Sequence, residues 1–348
     1  MHLPPLDSVP RAVGAPDFDN LLAVLRRERP ARPTLFEFFL NDRVYNRLIG
    51  RPADFSGPLT PFDTAEAFRR AGYDYVTFRP INFGFPKHEH ERKASYSLNA
   101  SAMIADAASF ETYPWPDPDQ ADYDLFEALG LALPKGMKIV AFGPGGVLEN
   151  AVGLLGFDNL CCLLADEPDL VGAVFDAIGS RLLRYYERVL EYSAVGAIIG
   201  NDDWGFKTQP MLSPADLRRY VFPWHRRIVA AAHAAGKPAI LHSCGNAAEI
   251  WDDIIDDLHY DAKHSYEDAI EPVEDAYEKY GARIAILGGI DVDFVIRSPL
   301  ESVYERSTQM LDRTESRGGY ALGTGNSVPD YVPDANYFAM IRAALDRR

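Results

Sequence analysis

The chain is poor in cysteine, in basic residues and in long apolar runs, and each scarcity excludes a class of protein. Its 348 residues hold 3 cysteines, two of them adjacent at Cys161 and Cys162. So few thiols build no disulfide framework and suit a reducing compartment. Lys and Arg total 35 against 51 Asp and Glu, a formal net charge of -16. That balance, with no basic block, argues against nucleic acid or an anionic membrane as partner. No apolar stretch approaches the roughly 20 residues that cross a bilayer, and residues 1–16 lack the apolar core of a signal peptide. A cytoplasmic location is therefore expected. What the chain does have is a 47% hydrophobic composition, enough to bury a large core in one barrel or two ordinary domains. Cys161 and Cys162 precede Leu163 and Leu164 in an apolar run and read as core filler.

One stretch organises the rest: Ala239-Ile240-Leu241-His242-Ser243-Cys244-Gly245-Asn246. It reads as a buried parallel strand running into a polar turn, with a helix expected over 247–256. In α/β folds, catalytic and binding groups collect at the C-terminal ends of strands. His242 and Cys244 are two apart, so in an extended segment they project to the same side and can share one metal ion. The alternative is a buried thiol beside a hydrogen-bonded imidazole. A metal also requires at least a third ligand, which the local sequence does not supply.

Around that stretch the chain alternates. Strands are expected at 34–40, 74–79, 138–142, 196–200, 238–242, 260–264, 283–287 and 319–323. Helices are expected between nearly all of them, among them 17–27, 64–71, 169–192 and one that opens at the N-cap Ser213 and runs to 235. Eight such units predict an α/β protein of a single (β/α)8 barrel over 1–348, with 1–33 as an N-terminal extension. The segment 80–134 is longer than a βα connection needs and reads as an excursion near the barrel mouth; its proline-rich, aromatic part, 80–118, is expected to cover the mouth. His88 and His90 within it sit in a charged run and read as solvated. Polar residues just after the strands then share one rim: Arg79, Asp202, Asp203, His242, Cys244, Asp261, His264, Asp291, Thr324 and Asn326. For Asp291 and Asn326, capping a following helix is as good a reading as function. Asp202 and Asp203 point to opposite sides of a strand end, so one can face a site while the other supports a loop.

An ordered series of motifs carries a resemblance. Asn201-Asp202-Asp203-Trp204-Gly205-Phe206 with Gln209 and Leu212-Ser213-Pro214 comes first, then Phe222-Pro223-Trp224 and His242-Ser243-Cys244-Gly245-Asn246. Gly288-Gly289-Ile290-Asp291 and Gly323-Thr324-Gly325-Asn326-Ser327-Val328-Pro329 complete it. The series resembles the uroporphyrinogen decarboxylase superfamily over residues 138–348. That resemblance implies a TIM barrel and one of two chemistries. The decarboxylases use no metal and hold a polycarboxylate tetrapyrrole with N-terminal arginines. Here 32–39 offers an acid and aromatics, and Thr324 stands where they carry a histidine.

The cobalamin-dependent methyltransferases bind zinc through a His-x-Cys pair and a later cysteine. His242 and Cys244 match the pair, but no cysteine follows Cys244. The third ligand then falls to Asp202 or Asp203, or to His264. The resemblance thus implies a methyltransferase with His242, Cys244 and Asp202 on zinc, and with Asp202, Asp203, His242 and Asp291 as catalytic residues. Arg79, Trp204, His264, Thr324 and Asn326 would bind substrate. Cobalamin would be supplied by a corrinoid-binding partner protein, the substrate would be a small molecule, and a homodimer is the expected assembly. The alternatives are a uroporphyrinogen decarboxylase-like carboxy-lyase, or a non-catalytic barrel that binds a tetrapyrrole or another small ligand.

Overall fold

The computed structural model describes residues 5–12, 14–87 and 102–348, so His88 and His90 lie outside the described residues. Its centre is a curled, all-parallel sheet of β1 (Tyr75–Phe78), β2 (Lys138–Phe142), β3 (Val195–Asn201), β4 (Ala239–His242), β5 (Ala262–His264), β6 (Ala285–Leu287) and β7 (Tyr320–Ala321). The strands lie side by side in chain order. Every residue of β1, β4, β5, β6 and β7 is buried, as expected of short apolar strands covered on both faces. Register sets Asn201 beside His242 and His242 beside His264, which brings three polar strand ends level.

Segment 34–40, expected as a strand, joins no ladder. It makes isolated parallel bridges from Leu35 to Leu322 and from Leu40 to Val328. On its other side it meets β1 through side chains: the Tyr75 hydroxyl donates to Glu37 O at 2.6 Å and accepts from Glu37 N–H at 2.7 Å. Thr77 Oγ1 donates to Phe38 O at 2.7 Å. Side-chain hydroxyls there occupy the backbone groups that a neighbouring strand would use. Seven strands, not eight, therefore form the sheet among the described residues.

The helices follow their local signals. Pro168 opens the helix Pro168–Leu190, and the Ser213 hydroxyl accepts Asp216 N–H. The helical path from Pro214 passes through a π turn at Leu217–Val221 before Phe222–Ala234. Pro223 has no N–H to complete an ordinary ladder there. The helix expected over 247–256 forms only partly and ends in a second π turn at Asp253–Asp257. Cys161 and Cys162 are exposed, a correction to their reading as core. In the helix Phe157–Asp166 the buried positions are Leu160 and Leu163, and this three-residue spacing leaves 161 and 162 on the outer face.

Asp261 is a second correction. It precedes β5 instead of following it, binds Ala239 N–H and His233 Nε2, both at 2.8 Å, and so sits at the opposite end of the sheet from His242. The described flanks of the excursion dock on the helix Pro168–Leu190: Phe83 stacks on Tyr185, the Arg181 guanidinium lies over Trp115, and Arg184 pairs with Asp119 at 2.7 Å. Among the described residues no single helix is long and apolar enough to cross a membrane.

Candidate functional site

Where β3 and β4 end, three donors of different chemistry converge. Asp202 N–H donates to His242 O at 2.9 Å, which extends the β3–β4 ladder by one residue and turns the next, Asp203, toward the β4 turn. Asp203 Oδ1 accepts Cys244 N–H at 2.8 Å. His242 Nε2 lies 3.8 Å from Cys244 Sγ, and the ligand atoms of Asp203, His242 and Cys244 all lie within 4.8 Å of one another. Bonds of about 2.0–2.3 Å at tetrahedral angles place neighbouring ligands roughly 3.5 Å apart. The set of one oxygen, one nitrogen and one sulfur therefore fits a zinc ion with small adjustments.

A chain of hydrogen bonds fixes which imidazole nitrogen is free. Thr324 O only accepts, and it lies 3.3 Å from His264 Nε2, so that nitrogen carries the proton. Burial pulls the His264 pKa well below its ordinary value, so the ring is neutral and its Nδ1 accepts. His242 Nδ1, 2.8 Å away, must then be the donor. Burial also pulls His242 down, to about 4, which leaves its Nε2 as a bare lone pair directed at Cys244. Metal-ligating histidines are commonly oriented by such a bond at the other ring nitrogen. Cys244 Sγ accepts from Asn326 Nδ2 at 3.2 Å and from Ser265 Oγ at 3.3 Å. Burial, with Asp203 adding to it, pushes the Cys244 thiol up to about 12. A divalent cation must displace that proton to bind sulfur.

The remaining expected residues divide. Asp202, expected as the carboxylate ligand, faces the other way and is replaced in the cluster by Asp203. Its oxygens accept Leu148 N–H and Glu149 N–H, both at 2.9 Å, which are unpaired donors at the start of the helix Val147–Leu155. His225 Nε2 meets the same carboxylate at 2.9 Å, and His225 Nδ1 meets Tyr260 OH at 2.7 Å. Gly146 permits this approach, since a Cβ there would stand 2.1 Å from Asp202. Trp204 is 1% exposed and packs on Phe222 and His225, so it is a core residue and not a substrate wall. Asp291, expected as catalytic, caps the helix Val292–Arg297 with one oxygen and binds Asp268 N–H with the other.

His264 and Thr324 are buried behind the cluster, while Asn326 is partly exposed and reaches it through Cys244. Arg79 remains at the mouth, its guanidinium 5.8 Å from the Phe142 ring and without a carboxylate partner among the described residues. Phe142 packs edge-on against Phe38, and Phe38 against the His242 ring at 4.8 Å.

Sequence reasoning missed three contributors. Ser265 holds a left-handed φ of 86°, which no sequence pattern announces for serine. Lys263 donates to Ser243 O at 3.1 Å and Ser265 O at 2.8 Å, tying the β4 and β5 turns together; a lysine inside an apolar strand was its signal. Glu37, buried against Thr324, was signalled by being the only acid in an apolar run.

A parallel sheet with N, O and S donors gathered at its strand ends defines an α/β protein built on the plan of a TIM-barrel enzyme. The chain belongs to the uroporphyrinogen decarboxylase family, whose sequence model, "Uroporphyrinogen decarboxylase (URO-D)", matches residues 100–346. It is 27% identical over 224 residues to a uroporphyrinogen decarboxylase of Anaeromyxobacter sp. (strain Fw109-5), covering 63% of this chain and 62% of that one. It is 25% identical over 182 residues to that of Bacillus thuringiensis (strain Al Hakam), covering 51% and 48%. The matches thus span less than two thirds of either curated relative. Among solved structures, a methyltransferase from Methanosarcina mazei superposes with a TM-score of 0.70 at 15% identity, over 94% of this chain and 97% of that one. This likeness establishes a shared fold.

Proposed function

We propose that the protein is a zinc-dependent methyltransferase that moves a methyl group between a small methylated substrate and a corrinoid carried by a partner protein. The observation that supports this reading is the Asp203, His242 and Cys244 cluster: three donors from two adjacent strand ends, leaving a fourth tetrahedral position for substrate. Zinc bound there supplies Lewis acidity, lowering the pKa of a coordinated thiol or alcohol or polarising the oxygen of a methyl ether. The chain's own residues do the rest. His242 presents a neutral Nε2, Asn326 and Ser265 hold the sulfur, and Phe38 and Phe142 keep water from one wall. Arg79 is placed to take an anionic or polar end of the substrate. The reading takes segment 34–40 as the eighth stave of one closed barrel.

A carboxy-lyase reading has in its favour the name of the family model and that of the curated relatives. Against it stand the net charge of -16, which repels a polyanionic tetrapyrrole, and the scarcity of unpaired arginine at the mouth among the described residues. Zinc reconstitution decides between the two. The native protein is expected to hold one zinc per chain and to lose it in His242→Ala, Cys244→Ser and Asp203→Ala. A native protein that takes up no zinc but turns over uroporphyrinogen would establish the carboxy-lyase.

A further inference from the structure

We propose that Glu37 is a positioning residue of this site: through the turn Gly323-Thr324-Gly325-Asn326 it holds both His242 and Cys244 in ligating geometry. The proposal rests on the zinc reading above and adds to it a residue outside the span that the family model matches.

In the extended run Phe36-Glu37-Phe38, residues 36 and 38 share one side and 37 takes the other. Phe36 packs on the His264 ring at 5.0 Å and Phe38 on the His242 ring at 4.8 Å. Glu37, with no exposed surface, turns to the β7 turn. Its Oε1 accepts Thr324 N–H at 2.6 Å, and its Oε2 lies 2.9 Å from Thr324 Oγ1.

Thr324 Oγ1 also lies 2.5 Å from Asn326 O. One hydroxyl has one proton, so it cannot donate to both oxygens. The contacts are all satisfied when Glu37 is the neutral acid: Oε2–H donates to Thr324 Oγ1, and Oγ1–H donates to Asn326 O. Burial pushes the Glu37 carboxyl up to about 8, in keeping with that count. The titratable groups around it are Tyr45, Tyr73, Tyr75, Tyr320 and Tyr337, none of them a cation.

From this anchored turn two arms reach the ligands. Thr324 O fixes the proton on His264 Nε2 and thereby the donor nitrogen of His242. Asn326 Oδ1 accepts Ser327 N–H at 2.7 Å, which settles the amide orientation and directs Nδ2 to Cys244 Sγ. One buried acid thus sets both the imidazole tautomer and the sulfur's hydrogen bond.

The test compares Glu37→Gln, Glu37→Leu and Thr324→Val with the native protein. A glutamine accepts from Thr324 N–H and donates to Oγ1, as the neutral acid does, and is expected to keep native zinc affinity; leucine does neither and is expected to lose about 10–100-fold. A second readout needs no metal. Imidazole 15N spectra of metal-free protein should show the Nε2–H tautomer at His264 and Nδ1–H at His242 in the native and Gln forms, and mixed tautomers in the Leu form. Thr324→Val keeps the backbone contacts but frees Asn326, so Cys244 should be alkylated faster, as followed by peptide mapping. If native protein binds no zinc, the zinc reading fails while the tautomers and the alkylation rate still judge Glu37. Native tautomers in a folded Leu form would overturn the proposal, as would a Gln form that behaves like Leu. Should the Leu form fail to fold, an unchanged alkylation rate in Thr324→Val would overturn it instead.

Discussion

At the scale of the residue, the informative pair is Asp202 and Asp203, two neighbours with the same side chain and different work. Asp202 satisfies two backbone N–H groups at a buried helix start and the His225 imidazole; Asp203 binds Cys244, through its backbone N–H and its thiol. Removing Asp202 leaves several buried donors unpaired, at about 1–3 kcal/mol for each such group. Asp202→Ala is therefore expected to lose several kcal/mol of stability in denaturant unfolding while metal content per folded chain stays at one. Asp203→Ala should do the reverse, with a near-native unfolding midpoint and no bound zinc. The same outcome from both substitutions would mean that the two carboxylates are not divided in this way.

At the scale of the element, the β7 turn shows how tightly the site is enclosed. A Cβ on Gly323 would stand 1.7 Å from Phe36 O, a clash with backbone that no rotamer relieves. Gly323→Ala must push segment 34–40 away from β7, at a cost on the order of 1–3 kcal/mol, and with it the contact from Glu37 to Thr324. The substitution is expected to lower both the melting temperature and zinc affinity; a loss of stability with zinc affinity unchanged would show that the turn and the site are independent. This coupling also marks what the sequence could convey. The strand ends at His242 and Asn201 were legible, because buried parallel strands are continuous apolar runs and the polar residue that stops each one is visible. That one of Asp202 and Asp203 faces the site was legible from alternation, but which one depends on where the helix Val147–Leu155 arrives, about fifty residues away in the chain. Asp261 was misplaced although it is the second residue of the expected strand 260–264: it stands where β5 (Ala262–His264) begins, the end of the sheet opposite His264. Segment 34–40 read as a strand on its composition, and only the tertiary contacts of Tyr75 and Thr77 remove it from the ladder. Glu37 was visible as an odd acid, but its partner lies 287 residues away.

At the scale of the whole molecule, the buried ionisable groups give the metal-free protein a distinctive stability profile. Burial raises Glu37 and Glu149 to about 8, whereas both carry ordinary values near 4.5 once unfolded. Between those pH values the native state holds protons that the unfolded chain has released, so stability is greatest below 4.5 and falls as pH rises to 8. His242 and His264 act oppositely: native and neutral, they lack protons that the unfolded chain binds below 6.5, so their contribution grows up to 6.5 and is then constant. The two effects offset one another between about 4.5 and 6.5. Lys263, lowered to about 8 by burial, adds its rise only above that pH. From 6.5 to 8 the two glutamates dominate, each worth up to about 1.4 kcal/mol per pH unit. Urea unfolding of metal-free protein is thus expected to show stability nearly level from pH 5 to 6.5 and falling toward pH 8, with roughly half of that fall removed in Glu37→Gln. Zinc would oppose this fall without reversing it, because binding must displace the proton of a thiol raised to about 12, so its apparent affinity would gain up to about tenfold, or about 1.4 kcal/mol, per pH unit. At a fixed zinc concentration the stabilisation, RT ln(1 + [zinc]/Kd), should therefore be larger at pH 8 than at pH 6.5. A zinc-dependent increment that is the same at both pH values would mean that Cys244 does not give up its proton to the metal, and the sulfur would have to be struck from the ligand set.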